Sequence, residues 1–442
     1  MNGFTKSNTS FYKETLLSVV PNKKIGSKLW LQLENCCKFL LVFLATMLWI
    51  LLGNAAANPL NPTNFTSLGV LVLTTGNYTI NTSGGSPVLV DSASNIIYHG
   101  VIYNQGVTYD SNIAVFTFSS IDIGAAVTIS PSGTNPVALL SRTGIDIAGA
   151  INASGTNGGD QGDGFGGLGG PGGGVGGSGS TGSGQAGGGQ GPGGGPGGYD
   201  GLGNGSWGDG GSFGGVGANW NPYLTPGSTY GDLTTFLEGG SGGGGAGHNL
   251  FGSGAGGGGG GGAVELGAVM TITLEGTAKI FAEGGLGGCG TSINTGGGSG
   301  GGIFFHAPAI KLDENSLVSA DGDGGGRIAF LTQSGTVSGY TNGVSVGGSP
   351  FGNPGVITYG VLPASGVQPF FLSIFLNGSD QPVISFTGIS GNYYQFQRST
   401  SLSVGGWING ETLKAPPSGA IQFTDSIPLV KMAVYRVANT TP

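Results

Sequence analysis

Residues 151–300 hold 64 of the chain's 99 glycines, in runs such as Phe165-Gly166-Gly167-Leu168-Gly169-Gly170-Pro171-Gly172-Gly173 and Gly256 to Gly262. Glycine in a helix interior costs roughly 1 kcal/mol relative to alanine, so a coiled coil or helical bundle is excluded. Only 14 Lys+Arg and 22 Asp+Glu are present in 442 residues, while 38% of the chain is hydrophobic, which argues against an ordinary disordered chain. A pI of 4.7 offers phosphates no basic stripe and argues against a nucleic-acid partner. The glycine-rich zone is set inside sequence of a different kind.

Residues 60–153 read as strand after strand: Val70-Leu71-Val72-Leu73, Val88-Leu89-Val90, Ala114 to Phe118, Ile121-Asp122-Ile123 and Val127-Thr128-Ile129. Each is short, alternating or continuously apolar, and bounded by Ser, Thr, Asn or Gly. An internal repeat then occurs three times. Ile145-x-Ile147 leads to Ile151-x-Ala153-x-Gly155, Ile272-x-Leu274 to Ile280-x-Ala282-x-Gly284, and Ile310-x-Leu312 to Val318-x-Ala320-x-Gly322. The second and third copies align without a gap at an offset of 38 and share Glu275/Asp313 and Glu283/Asp321.

I-x-[IL] aims two branched side chains at one face of a strand, and after a turn [IV]-x-A returns another pair to the same side. Such a unit cannot bury its face alone and must stack on its neighbours. The expected class is all-β: a parallel β-helix (solenoid) over residues 58–361, interrupted by glycine-rich inserts at 155–262 and 284–302. A β-sandwich competes for strands this short. Insertions at a coil's corner leave a stack intact, which favours the solenoid.

Two readings of the inserts follow. Composition alone gives a flexible, linker-like loop. The alternative packs extended polyglycine helices of three residues per turn side by side, glycine allowing close backbone approach. Aromatic residues such as Phe165, Tyr199, Trp207 and Trp220 argue against a pure linker. A collagen frame is not sustained, having slipped by Val175.

At the N-terminus, six lysines precede a 14-residue run, Phe39 to Leu52, broken only by Thr46. Gly53-Asn54-Ala55-Ala56-Ala57 then supplies small residues at both sites of an A-x-A cleavage signal. Residues 1–57 are expected to be a secretory signal peptide. A run of this length gives about 21 Å of helix, short for a ~30 Å bilayer core, so no integral membrane segment is expected after cleavage. Cys36 and Cys37 leave with the signal, only Cys289 remains, and no internal disulfide is expected.

The order of glycine run, Ala263-Val264-Glu265-Leu266, Ile272-x-Leu274 and Ile280-x-Ala282-x-Gly284 resembles glycine-rich β-helical surface proteins of Gram-negative bacteria, over roughly residues 140–330. Leu362 to Gly366 reads as part of a linker, 362–367. Beyond it come Tyr394-Gln395-Phe396-Gln397-Arg398-Ser399-Thr400-Ser401-Leu402, Trp407, Ile421-Gln422-Phe423-Thr424-Asp425 and Tyr435-Arg436-Val437. These resemble a small C-terminal β-sandwich module of secreted verrucomicrobial and planctomycete proteins, placed at 368–442. The resemblance implies an extracellular location. In the residues themselves, Tyr394, Phe396 and Arg398 alternate on one strand, and Asp425 after Thr424 suits a turn.

Chemistry is sparse. His99, His248 and His306 have no sequence-local partner at metal-ligand spacing, and His306 reads as a satisfied surface residue. Asp122 and Asp146, with Arg142 nearby, occupy equivalent places in two I-D-I units, and Glu275 and Asp313 form a similar pair. Convergence of these carboxylates in a groove would suit a polysaccharide lyase or hydrolase; ordinarily they are solvated outward residues. Basic candidates in this region are Lys279, Lys311 and Arg327. Asp160 and Asp163 sit in a near-match to a calcium-binding nonapeptide, and Asp321 and Asp323 flank a glycine, making these four calcium candidates. No catalytic or cofactor-binding residue is assigned. The expectation is a secreted or cell-surface structural or adhesive protein meeting extracellular polysaccharide or other surface components. The alternatives are a β-helix enzyme acting on polysaccharide and a polyglycine-layer receptor-binding adhesin.

Overall fold

A computed structural model describes residues 59–107, 109–182, 184–199, 206–248, 252–291, 294–362, 370–377, 381–387, 393–399, 408–416, 420–426 and 434–440. The expected signal peptide lies outside the described residues. So do Trp407 and all of the expected linker except Leu362.

The protein is nearly all β. Among the described residues helical structure is confined to short 3-10 turns such as Pro62–Asn64 and Thr341–Gly343, and no helix is long and apolar enough to cross a membrane. Twelve strands form one sheet and seven form another. The chain alternates between them. Val137–Ser141 of the seven-stranded sheet leads to Gly144–Ile147 and Ala150–Asn152 of the larger one. Ala263–Ala268 leads in the same way to Thr271–Leu274 and Lys279–Phe281, and Gly302–His306 to Ala309–Leu312 and Leu317–Ser319.

Corresponding strands of successive passes pair in parallel. Ile145, Ile272 and Ile310 are consecutive partners, as are Ile151, Ile280 and Val318. The three sequence copies therefore lie side by side in register, although the segments between them differ greatly in length. Two flanking passes join the same sheet without matching the pattern in full. Ile121 and Ile123 pair with Ile145 and Ile147, and Ser338–Gly339 and Val344–Ser345 pair with the last copy.

The alternating positions of the larger sheet point inward onto Phe116, Leu139, Leu266, Phe305 and Phe330 of the smaller one, and these residues form one core. Parallel register puts like side chains in columns at strand spacing. Phe305 and Phe330 stack with centroids 4.9 Å apart and planes 6° apart, and Tyr359 continues the column at 5.4 Å from Phe330. The smaller sheet is covered on its other face too, by Leu60, Phe213, Leu233 and Leu237. Burial on both faces explains its continuous apolar runs, such as Ile303-Phe304-Phe305.

Glycine lies on the return path from the larger sheet to the smaller. The return before Val137–Ser141 takes only residues 133–136 and that before Arg327–Thr332 only 320–326, while the two between them detour through 153–262 and 282–301. Along Gly256 to Gly261, successive N–H groups turn to three neighbours in rotation. Gly256 donates to Gly159 O (2.8 Å), Gly257 to Gly177 O (2.8 Å) and Gly258 to Gly296 O (2.9 Å). Gly259, Gly260 and Gly261 then repeat the cycle onto Thr156, Gly174 and Ser299. A three-residue cycle is the period of an extended polyproline-II-type helix, which makes no internal hydrogen bonds and must bond sideways.

The carbonyls of the same stretch accept from three further segments, through Gly285 and Gly288, Gly167 and Gly170, and Gly240 and Gly243. Six neighbours thus surround one strand. None of Gly256 to Gly262 has a positive φ, so left-handed freedom is not what glycine supplies here. It supplies closeness: a Cβ on Gly256 would overlap the Phe165 carbonyl, one on Gly257 that of Gly243, and one on Gly258 that of Gly285. Side chains fall where the three-residue step turns them outward. Ser154, Asn157 and Asp160 accept in succession from the N–H groups of Glu283 (3.0 Å), Leu286 (2.9 Å) and Cys289 (2.8 Å).

The C-terminal region forms two three-stranded antiparallel sheets. Ile384, Tyr394, Phe396, Ala415 and Ile421 make a core of their own. Asp425, expected as a turn residue, is instead buried in an ion pair with Arg398 at 2.9 Å.

These contacts separate two kinds of glycine. Gly257→Ala should destabilise the fold by ~3 kcal/mol or more, because rigid backbone cannot yield to an added methyl group. Gly182→Ala, with nothing within 4 Å of the new Cβ, should be neutral or slightly stabilising. Thermal unfolding of both variants checks the contrast, and equal melting temperatures would contradict close packing as the role of Gly257.

Candidate functional site

Hydrogen-bond directions orient the glycine strands. Segments 155–159, 174–179, 240–246 and 283–288 lead away from the sheets, and 165–170, 256–262 and 296–301 return to them. The described residues of their outer turns, 160–164, 180–182, 184–186, 247–248, 252–254 and 289–291, therefore gather at one end of the bundle. Gln161 N donates to Cys289 O (2.8 Å), and the Gln161 Oε1 accepts from Thr291 N (2.8 Å). Ser180 bridges two other turns, donating to Ala246 O (3.0 Å) and accepting from Gly254 N (2.7 Å).

Here glycine is needed for its conformation. Gly162 and Gly164 have φ of 106° and 61°, closing a turn in which Asp160 O accepts from the N–H groups of Asp163 and Gly164. Asp160, Asp163, Thr181, Gln185, Cys289 and Thr291 are exposed at this tip. The arrangement offers carboxylate, amide and hydroxyl groups on turns anchored by a stiff backbone lattice, the usual way a scaffold presents binding loops.

The four calcium candidates separate into two places. Asp160 and Asp163 are at the tip. Asp321 Oδ1 accepts from Ser345 Oγ (2.5 Å) and from Gly347 N, and Asp323 is buried with Oδ2 on Gly297 N (2.8 Å). Asp323 instead faces Asp209, which sequence reasoning missed; burial raises both carboxyls, Asp209 to about 6. Among the described residues no group of three or more His, Cys, Asp or Glu side chains is placed to hold a metal ion.

The candidate catalytic carboxylates stand on the outer face of the twelve-stranded sheet. Asp122 and Asp146 are in-register partners, both exposed. Glu275 is exposed, and Asp313 pairs with Lys311 at 2.7 Å. Arg142 Nη2 donates to Phe65 O at 2.5 Å. Arg327 Nε donates to Tyr230 O (2.8 Å), and its guanidinium lies over the Phe213 ring.

His306 is not a surface residue. It is 3% exposed and its Nε2 lies 2.8 Å from the Oε1 of fully buried Glu265, 41 residues away in the chain. The sequence carried a signal for this pair: each interrupts an apolar strand, Ala263-Val264-Glu265-Leu266 and Ile303-Phe304-Phe305-His306, and a buried charge requires a partner. His99 and His248 lie apart from this pair. Cys289 is free and exposed.

A second group unseen in sequence locks segment 230–241 to the sheets. Gln105 Nε2 donates to Leu237 O (2.8 Å) while its Oε1 accepts from Leu237 N (3.0 Å), and Asp110 Oδ2 accepts from Gly239 N (2.9 Å). Tyr230 hydroxyl donates to Gly239 O (2.6 Å) and accepts from Ser241 Oγ (2.9 Å). Burial pushes the Asp110 carboxyl up to about 8; the Gly239 N–H opposes this and the Glu238 charge adds to it. Compared with known proteins, the chain matches no family model, no curated protein and no solved structure.

The raised carboxyls set a pH dependence. A carboxyl whose folded value lies above its unfolded value near 3.8 binds its proton more tightly when folded. Stability is therefore greatest below that unfolded value and declines as pH rises, through about 6 for Asp209 and about 8 for Asp110. Melting temperature should fall between pH 4 and pH 8. Asp110→Asn, which keeps an acceptor for Gly239, should flatten the upper part of that decline.

Proposed function

We propose that this is a non-catalytic, secreted or cell-surface binding protein. In this reading the two sheets form a parallel β-helix that serves as a stiff shaft, the glycine segments form a packed polyglycine bundle on its flank, and residues 368–442 form a β-sandwich module. The observation that carries the reading is the gathering of exposed glycine-strand turns at one end of a hydrogen-bonded bundle. Such turns can change in sequence while the lattice beneath them stays fixed, as suits a surface that must match a partner. Side chains come to it from the turn at 160–164, from the residues 289–291 that are hydrogen-bonded to that turn, and from 180–182 and 184–186.

The chain's resemblance to glycine-rich bacterial surface proteins and its candidate signal peptide support an extracellular setting. The partner class is extracellular polysaccharide or another cell-surface component. Asp122 and Asp146, neighbours in register, are exposed on the outer face of the sheet in the manner of solvated outward residues, and the bundle geometry favours the receptor-binding form of the adhesive reading.

The test uses the mature protein and a variant with Asp160→Ser, Asp163→Ser, Thr181→Gly and Gln185→Ser. All four positions are exposed at the tip, so melting temperature should change by no more than a few degrees. Binding to a glycan array and to bacterial cells should fall at least tenfold. Absence of binding by the parent protein, or binding unchanged in the variant, would overturn the reading.

A further inference from the structure

Three large apolar side chains stand in solvent on one flank of the glycine bundle: Phe165 at 58%, Leu168 at 65% and Leu286 at 70% exposure. Hydrogen bonds place them in one layer, with segment 155–159 between 165–170 and 283–288. Thr156 N donates to Leu168 O (2.8 Å) and Gly159 N to Phe165 O (2.8 Å) on one side. On the other, Gly155 N donates to Glu283 O (2.8 Å) and Gly158 N to Leu286 O (2.9 Å). All three segments also bond to 256–262: the middle one accepts from Gly256 and Gly259, and Gly167, Gly170, Gly285 and Gly288 donate from the outer two. A shared partner beneath and exposed side chains above make them one surface.

The three-residue step separates Phe165 from Leu168 by ~9 Å along their strand, and two strand spacings set Leu286 ~10 Å across from Leu168. What lies between is fixed in place. Asn157 Oδ1 accepts from Leu286 N (2.9 Å), which leaves the Asn157 NH2 group as a donor at the surface. The Phe165 ring rests on Gly159, where a Cβ would come within 2.8 Å of it. Charge narrows the occupant. Residues 143–278 contain neither Lys nor Arg, 283–289 adds none, and Asp160, Asp163 and Glu283 border the layer. Such a face repels a uronate, sulfate or phosphate. It does not suit a second copy of this chain either. A stable homodimer buries ~800 Å² on each partner around an apolar centre, and here three apolar side chains stand apart among amides and hydroxyls. A pyranose ring matches that mixture: its C–H face packs on an aromatic or aliphatic side chain while its hydroxyls meet polar groups at the rim.

We infer that the layer carrying Phe165, Leu168 and Leu286 is a subsite for an uncharged polysaccharide chain, with these side chains under its sugar rings and Asn157 donating to a hydroxyl. Phe165 follows directly on the turn at 160–164, so a chain lying on the layer runs on into the tip. That the partner is a polysaccharide rests on the reading above; its position on the flank and its lack of charge are tested apart from that reading.

Affinity electrophoresis of the mature protein in gels containing hydroxyethylcellulose, galactomannan or dextran, all neutral, or anionic polygalacturonate provides the test. At least one neutral polysaccharide is expected to retard the protein, and polygalacturonate is not. Replacing Phe165, Leu168 and Leu286 together by Ser should weaken that retardation at least tenfold. Asn157→Asp, which keeps an acceptor for Leu286 N but loses the donor, should weaken it at least threefold. All four positions are exposed, so melting temperatures should stay within a few degrees; should the triple variant unfold, Leu168→Ser and Leu286→Ser singly, with Asn157→Asp, decide instead. No retardation by any neutral polysaccharide, stronger retardation by polygalacturonate, or unchanged retardation of the flank variants would overturn the inference. Dimerisation of the parent that the triple variant abolishes would assign the face to a second copy and overturn it too. If the flank variants bind as the parent does while the tip variant does not, the flank subsite falls and the tip reading stands; the opposite result removes the tip reading and leaves the flank.

Discussion

A carbonyl oxygen can occupy the place of a neighbouring residue's Cβ only where that residue is glycine. The glycine bundle is built from this one steric permission. With side chains absent, extended strands approach until N–H groups reach carbonyls on adjacent strands, a few reaching side-chain oxygens such as those of Asp323 and Asn157, without helix or sheet. Gly257 illustrates the arrangement, donating to Gly177 and accepting from Gly167, with the Gly243 backbone occupying the space a methyl group would need. The segments holding most of the glycine are therefore among the most closely constrained in the molecule.

The sheets and the bundle depend on each other. Parallel strands require a crossover, and a crossover of any length is accepted if it begins and ends at the right corner. The returns through 133–136 and 320–326 are short; the longer returns leave and rejoin the stack at equivalent places, so strand register is undisturbed. In exchange, the sheets fix the roots of the glycine strands. Residues bridging the two parts, such as Gln105 with both its amide groups on Leu237, add hydrogen bonds to the apolar contact that Phe213, Leu233 and Leu237 make with the smaller sheet.

Much of the strand layer was legible in the sequence, because alternation and branched side chains at fixed spacing directly encode which face is buried. Ile145, Ile272 and Ile310 could be aligned by eye and are in fact partners. The passes at Ile121 and Ser338 were harder, since the first runs on as one long strand and the last has Ser-Gly in place of the apolar pair. The bundle was legible only as a choice between a loose and a packed form, because glycine composition is compatible with both and the decision lies in contacts between segments distant in the chain. The same distance hid Glu265 with His306 and Asp209 with Asp323. The ion pair of Asp425 was hidden for a related reason: its partner Arg398 is on another strand, and local turn chemistry was the only information nearby.

The rotation of successive N–H groups among three neighbours has an evolutionary corollary. Inserting or deleting one residue within a glycine strand would turn every later N–H toward the wrong neighbour and bring outward side chains into the lattice. Adding or removing three leaves the sequence of partners unchanged and only alters how far the strand extends. Related chains should therefore differ inside these strands by whole triplets, while their outer turns vary freely in length, so that the history of the bundle would be written in steps of three.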